Sequence, residues 1–130
     1  MMTLKHVLFI SAIILFSCTD NNLNTEAILE GKWVEVNTKT DTLTFGLLGG
    51  QESMTLSRGV EMINGSLLPK RGSGSYDYKL ITEKISLRYH LSSNSAFTDY
   101  HFKYATNRIE IENFYSTSLA GTIQTFEKIN

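Results

Sequence analysis

The chain has 130 residues, enough for one domain, and an ordinary globular make-up of 42% hydrophobic and 19% charged residues. Its formal charge is −1; without Lys5, eleven basic residues stand against thirteen acidic ones, which gives −2. Basic residues are scattered singly apart from Lys70-Arg71, so the basic face or stripe that nucleic acid requires is missing and no nucleic-acid role is expected.

The first eighteen residues read as a separate unit. Lys5 and His6 precede an apolar run from Val7 to Phe16. That run is half the roughly 20 residues a membrane-spanning helix needs, and it matches the apolar region of a secretory signal. Cys18 is the only cysteine, so it cannot form an internal disulfide. Leu15-Phe16-Ser17-Cys18 resembles the lipobox of bacterial lipoproteins, with an aliphatic residue at −3 and a small one at −1. The resemblance implies a signal peptide over residues 1–17, diacylglycerol on the Cys18 sulfur, cleavage before Cys18 and acylation of the new amino group. Two or three acyl chains make an effectively stable anchor where one does not. The expected location is the cell envelope, held to a membrane through the acyl chains. Residues 18–24, ending in the polar stretch from Thr19 to Asn24, read as a tether.

Residues 25–130 read as the folded domain. Thr25 can cap one helical turn over 25–30, with Gly31 after its end. Beyond it the apolar period becomes two: Leu43, Phe45 and Leu47; Tyr76, Tyr78 and Leu80; Ile85, Leu87, Tyr89 and Leu91; Tyr100, Phe102 and Tyr104; Ile109 and Ile111. This alternation predicts antiparallel strands with one face buried. Strands are expected over 31–36, 41–47, 53–57, 60–63, 75–81, 84–91, 99–105, 108–113 and 122–129. A turn at Thr82-Glu83 sets Leu80 opposite Ile85, and a turn at Thr106-Asn107 sets Tyr104 opposite Ile109. Both place apolar residues across from one another, whereas a one-residue slip would turn either strand inside out. Residues 66–74, with Pro69 and two glycines around Lys70-Arg71, read as a mobile loop. Eight or nine consecutive short strands predict an all-β, antiparallel up-and-down barrel, which removes exposed edges by closing.

Ile28-Leu29-Glu30-Gly31-Lys32-Trp33 resembles the opening of a lipocalin-like domain, where a short helical turn leads into Gly-x-Trp on the first strand. Thr98-Asp99-Tyr100 is similar to a tripeptide before a late strand of that family. The resemblance implies that Trp33 closes one end of the barrel with Lys128 lying across it, through a cation–π contact. It covers 28–130 and points to bacterial lipocalin-like lipoproteins.

Chemistry is sparse. His90 and His101 fall on polar strand faces, and a register placing His90 opposite Asp99 and Arg88 opposite His101 avoids a clash between Arg88 and Lys103. Two histidines fall short of the three or four convergent ligands of a zinc site, so no metal is expected. Glu110 and Glu112 alternate as a solvated strand does, Ser73 lacks the surroundings of a nucleophile elbow, and the glycines at 46–50 lack a phosphate-loop ending. Neither an enzyme nor a cofactor is expected. The aromatic set is more informative: Phe45, Tyr76, Tyr78, Leu87, Tyr89, Tyr100, Phe102, Tyr104 and Phe126, with Trp33, would line one interior. Eight-stranded interiors are either filled by side chains or hold one small ligand, and the sequence leaves both open. The leading expectation is a binding module for a small apolar or amphipathic molecule. The alternative is a protein-interaction module, an inhibitor, immunity-type protein or accessory subunit, using Leu67, Leu68, Lys70 and Arg71 to meet an envelope protein.

Overall fold

Strands with one apolar face must either stack against a second layer or curl until that face meets itself. In the computed structural model of the protein, which describes residues 28–130, the sheet curls and closes. The leader, Cys18 and the tether lie outside the described residues. Ten strands follow in order: β1 (Gly31–Glu35), β2 (Thr42–Leu48), β3 (Gln51–Ser57), β4 (Val60–Ile63), β5 (Ser66–Pro69), β6 (Gly74–Ile81), β7 (Lys84–Tyr89), β8 (Thr98–Ala105), β9 (Arg108–Glu112) and β10 (Ile123–Ile129). Eight of them form a closed antiparallel barrel in the order β1-β10-β9-β8-β7-β6-β3-β2, while β4 and β5 pair only with each other. The turn expected over 25–30 falls mostly outside the described residues, Ile28 and Leu29 being its helical end. The remaining helical piece is a 3-10 turn at Thr117–Leu119.

Both sequence-derived hairpin registers are present, with Leu80 opposite Ile85 and Tyr104 opposite Ile109. Three other expectations need correction. Residues 66–74 are not a mobile loop: Ser66–Pro69 is a strand, and the chain reverses between β4 and β5 at Asn64-Gly65. Both turn residues have positive φ, 49° and 80°. That is the geometry of a two-residue hairpin turn whose twist matches its strands, and Asn-Gly tolerates it better than other pairs. Val60–Ile63 is a strand as expected, yet it leaves the barrel instead of adding to it.

The third correction concerns β7 and β8. Asp99 faces Ser86 and His101 faces Lys84, so neither His90–Asp99 nor Arg88–His101 is a pair. Closing a barrel forces neighbouring strands to stagger. Here β8 is displaced toward the Thr82-Glu83 turn, where the Phe102 amide donates to the Glu83 carbonyl at 3.1 Å. Residues 90–97 then bridge the offset at the other end. They fold back on the outer wall, where the Phe97 ring lies under Lys79 Nζ at 4.3 Å and the Arg88 guanidinium at 4.9 Å. Consequently the outward face is not uniformly wet: Ser53, Asp77 and Ser86 are buried on it.

Leu29, Trp33, Leu43, Met54, Ile85, Ile109, Ile111 and Phe126 form the fully enclosed centre. Leu47 and Leu91 share the inward parity of their neighbours but sit past the barrel rim, 74% and 80% exposed.

Candidate functional site

The two ends of the barrel differ. β1 starts at one end, where the chain enters and leaves, and that end is shut. Trp33 is wholly buried, and its indole Nε1 donates to the Leu29 carbonyl at 2.8 Å. Lys128, the cross-strand partner of Trp33, extends its ammonium to 5.3 Å from the ring centre and donates to the Ile28 carbonyl at 2.9 Å. Its stem passes so close to Gly31 that a Cβ there would sit 3.3 Å from Lys128 Cε. Glycine, tryptophan and lysine therefore make one plug, and each depends on the size of the others.

The opposite end gathers the connections after β1, β3, β7 and β9, and it is open. A cavity of about 500 Å³ lies there, within the roughly 300–1,000 Å³ of small-molecule sites. Tyr76, Leu87, Tyr89, Tyr100, Phe114 and Tyr115 form much of its wall, with Arg71, Arg88 and Ala96 also lining it. Phe114 is the hub: its ring meets Tyr76 at 5.0 Å, Tyr115 at 5.3 Å and Tyr100 at 6.0 Å, all edge-on. Edge-to-face contact suits aromatic quadrupoles and holds the rings apart, which leaves space between them.

Two of the hydroxyls are tied to internal partners. Tyr76 Oη donates to the Gly72 carbonyl at 2.7 Å. Tyr115 Oη donates to Asp41 Oδ2 at 3.2 Å and accepts from Gln124 Nε2 at 2.6 Å. Asp41 also accepts from Arg58 Nε at 3.0 Å, and Arg58 lies over the Tyr115 ring at 4.2 Å. A second nitrogen of Arg58 donates to the Arg71 carbonyl at 2.8 Å, fastening the root of the β4–β5 hairpin to the mouth. Gly72 is pressed against this cluster, since a Cβ there would stand 2.4 Å from the Tyr115 Cβ. Neither the Tyr89 hydroxyl nor the Arg71 guanidinium has a hydrogen-bond or ion-pair partner among the described residues.

Burial pushes the Tyr76 phenol up to about 12, helped by the neighbouring phenols of Tyr89 and Tyr100. Tyr100 and Tyr115 are also raised, again chiefly by burial. These phenols stay neutral at ordinary pH and can only exchange hydrogen bonds. On the outer wall Asp77 lies 2.9 Å from His90 Nδ1 and accepts from Arg88 Nη2 at 2.6 Å. The hydrogen bonds of His90 and then Arg88 hold its carboxyl below the usual range. This group braces Arg88, which reaches the cavity rim from outside.

Of the sequence-derived candidates, the structure brings Tyr76, Leu87, Tyr89 and Tyr100 together around the cavity. Phe45, Tyr78, Phe102 and Phe126 are buried in the packed part, with Phe45 and Tyr78 edge-on at 5.4 Å. Tyr104 is 41% exposed at the closed-end limit of β8 and lines no interior, because the strand runs past the barrel's edge there. Tyr89 is 38% exposed at the rim rather than enclosed. Leu67 and Leu68 stand exposed on the β4–β5 hairpin, with Lys70 and Arg71 at its root. Sequence reasoning missed Phe114, Tyr115 and Asp41. Adjacent aromatics directly after β9 were the available signal: Tyr115 keeps the buried parity of Ile109, Ile111 and Asn113, and Phe114 takes the other. His90 and His101 lie on different sides of the β7–β8 stagger, and no cluster of three or more potential metal ligands occurs among the described residues. Comparisons with protein families, curated proteins and solved structures find no match.

Proposed function

We infer that this chain is a lipid-anchored protein of the bacterial cell envelope whose lipocalin-like barrel binds one small apolar or amphipathic molecule in its open mouth. The observation that carries the reading is the pairing of a sealed end with a cavity of about 500 Å³ at the other. A channel would be open at both ends, and a purely structural barrel would be filled at both. Apolar rings supply most of the contact, which suits a ligand body without charge. The free Tyr89 hydroxyl and Arg71 guanidinium add two rim positions for a polar head. The cavity's buried phenols are poor proton acceptors at neutral pH, which favours holding a molecule over transforming it. The anchor rests on the leader and on Leu15-Phe16-Ser17-Cys18.

Native mass spectrometry of the protein drawn from its own membrane tests this. A discrete added mass is expected, together with its loss in Ala96→Trp, where a bulky ring at an exposed rim position would occupy the mouth. An unliganded mass throughout, or the same adduct in both proteins, would discard the reading.

A further inference from the structure

Beyond the cavity, the β4–β5 hairpin has no place in the barrel. It forms a sheet of two strands, and every residue in both strands is exposed. Cross-strand pairing puts Val60 with Pro69 and Met62 with Leu67 on one face, while Glu61, Leu68, Ile63 and Ser66 share the other. The first face is apolar throughout and carries the more exposed side chains, Met62 and Leu67 being 64% exposed each. The hairpin's one acidic residue, Glu61, points the opposite way. At the root stand Lys70 and Arg71, neither with an ion pair among the described residues, whereas Arg58 is occupied by Asp41.

We propose that this apolar face, with Lys70 and Arg71 behind it, docks on an anionic phospholipid bilayer. An apolar face of four side chains, with two cations at the root of its hairpin, matches the acyl boundary beneath a layer of phosphates. Burial of only about 5–10 Å into that boundary is needed, which a hairpin lying flat provides. Charge complementarity selects anionic lipid, each cation near such a surface strengthening binding about fivefold. A second copy of the chain fits less well. Four side chains present on the order of 400 Å² per copy, so a self-contact buries about 800 Å², short of the roughly 1,200 Å² of stable interfaces. Arg71 and Gly72 run from the hairpin directly into the cavity wall, so a docked hairpin brings the cavity close to the bilayer. The docking itself does not depend on the cavity holding a ligand.

The test places a reporter on the face in the full chain. Trp33 is the native tryptophan and is wholly buried, so Met62→Trp adds a distinguishable emitter, with Leu67→Trp as an independent second position. Vesicles of phosphatidylcholine, with or without phosphatidylglycerol, carry brominated acyl chains that quench only tryptophans at the acyl boundary. Position-62 emission should shift to the blue and be quenched on the phosphatidylglycerol vesicles. Lys70→Ala with Arg71→Ala should weaken this by about 25-fold. Emission from both new tryptophans that stays red and unquenched on those vesicles overturns the proposal, even if an acyl anchor holds the protein there. A blue shift that grows with protein concentration and no lipid overturns it in favour of self-association. A blue shift on adding an envelope protein extract without lipid overturns it in favour of a protein partner. Either result leaves the mass-spectrometric test of the cavity untouched.

Discussion

The closed and open ends of this barrel are built from aromatic side chains of similar bulk, yet one is solid and the other hollow. At the closed end the large ring is an indole with a single donor, satisfied four residues back along the chain by the Leu29 carbonyl. Aliphatic neighbours then pack against it without further polar demand. At the open end Phe114 is surrounded by phenols, and the hydroxyls of Tyr76 and Tyr115 are tied to internal partners. Their partners are the Gly72 carbonyl, Asp41 and Gln124, all at the periphery. Those bonds fix the two rings in the wall of the cavity. The ends therefore differ in where polar tips are tied, and not only in the bulk of the side chains.

The sharpest way to break the comparison is to remove the plug. Trp33→Ala should cost about 3–5 kcal/mol, as large aromatic truncations in enclosed cores do. Urea unfolding would measure it, and a loss below about 1 kcal/mol would mean that the closed end is not the barrel's foundation. Next comes the mouth's own frame. Gly72→Ala sets a methyl into the Tyr115 ring at a backbone φ of 88°, a conformation other residues adopt with strain. We expect about 2–3 kcal/mol from overpacking and backbone strain together, with loss of the cavity's adduct before loss of the fold.

These two sites also show how far the sequence speaks. The plug is legible through resemblance: the Gly-x-Trp opening similar to lipocalin-like domains implies that Lys128 lies across Trp33. Hairpin registers are legible from the residues themselves, since a two-residue turn ties neighbours together. The β7–β8 stagger is not, because closure around the whole barrel sets it and residues 90–97 merely absorb the difference. The mouth is half legible. Tyr76, Tyr89 and Tyr100 follow from strand parity, whereas Tyr115 lies beyond the end of β9 and its partner Asp41 is 74 residues away. The side hairpin is signalled by Asn64-Gly65, a strong turn pair, but Pro69 and the glycines nearby give the same stretch the composition of a loop.

The outer wall offers the next perturbation. In Asp77 the folded carboxyl titrates below its ordinary value, so its contribution is present above the unfolded pKa and fades as pH falls through the folded one. Glu35 acts with the same sign: burial raises it, but hydrogen bonds from Thr38 and Asn37 outweigh that and lower it. Urea midpoints should therefore drop as pH falls below about 4, the unfolded carboxylate value. Asp77→Asn should cost about 1–2 kcal/mol at neutral pH, toward the low side because Arg88 and His90 are partly in water. It should also flatten the acid limb; an unchanged limb would assign the effect to other carboxylates. Smaller again is Lys128→Ala, at about 1 kcal/mol for one hydrogen bond and a partly solvated cation–π contact. Its loss should appear as a red shift of Trp33 emission, with the mouth unaffected.

The smallest change in stability is expected where the binding consequence is clearest. Tyr89→Phe removes a hydroxyl that has no hydrogen-bond partner among the described residues and stands at a partly exposed rim, so unfolding should move by less than about 0.5 kcal/mol. Its ring stays edge-on to Tyr76 at 5.2 Å, so the wall of the cavity keeps its shape. If the two ends divide labour as their hydrogen bonds suggest, only a ligand's polar head should notice. One hydrogen bond is worth about 1 kcal/mol, or roughly a fivefold weaker Kd for the native ligand, once isolated, by calorimetry. A stability loss as large as that of Lys128→Ala would show instead that Tyr89 belongs to the frame, and that the open end is held by the same kind of internal bonding as the closed one.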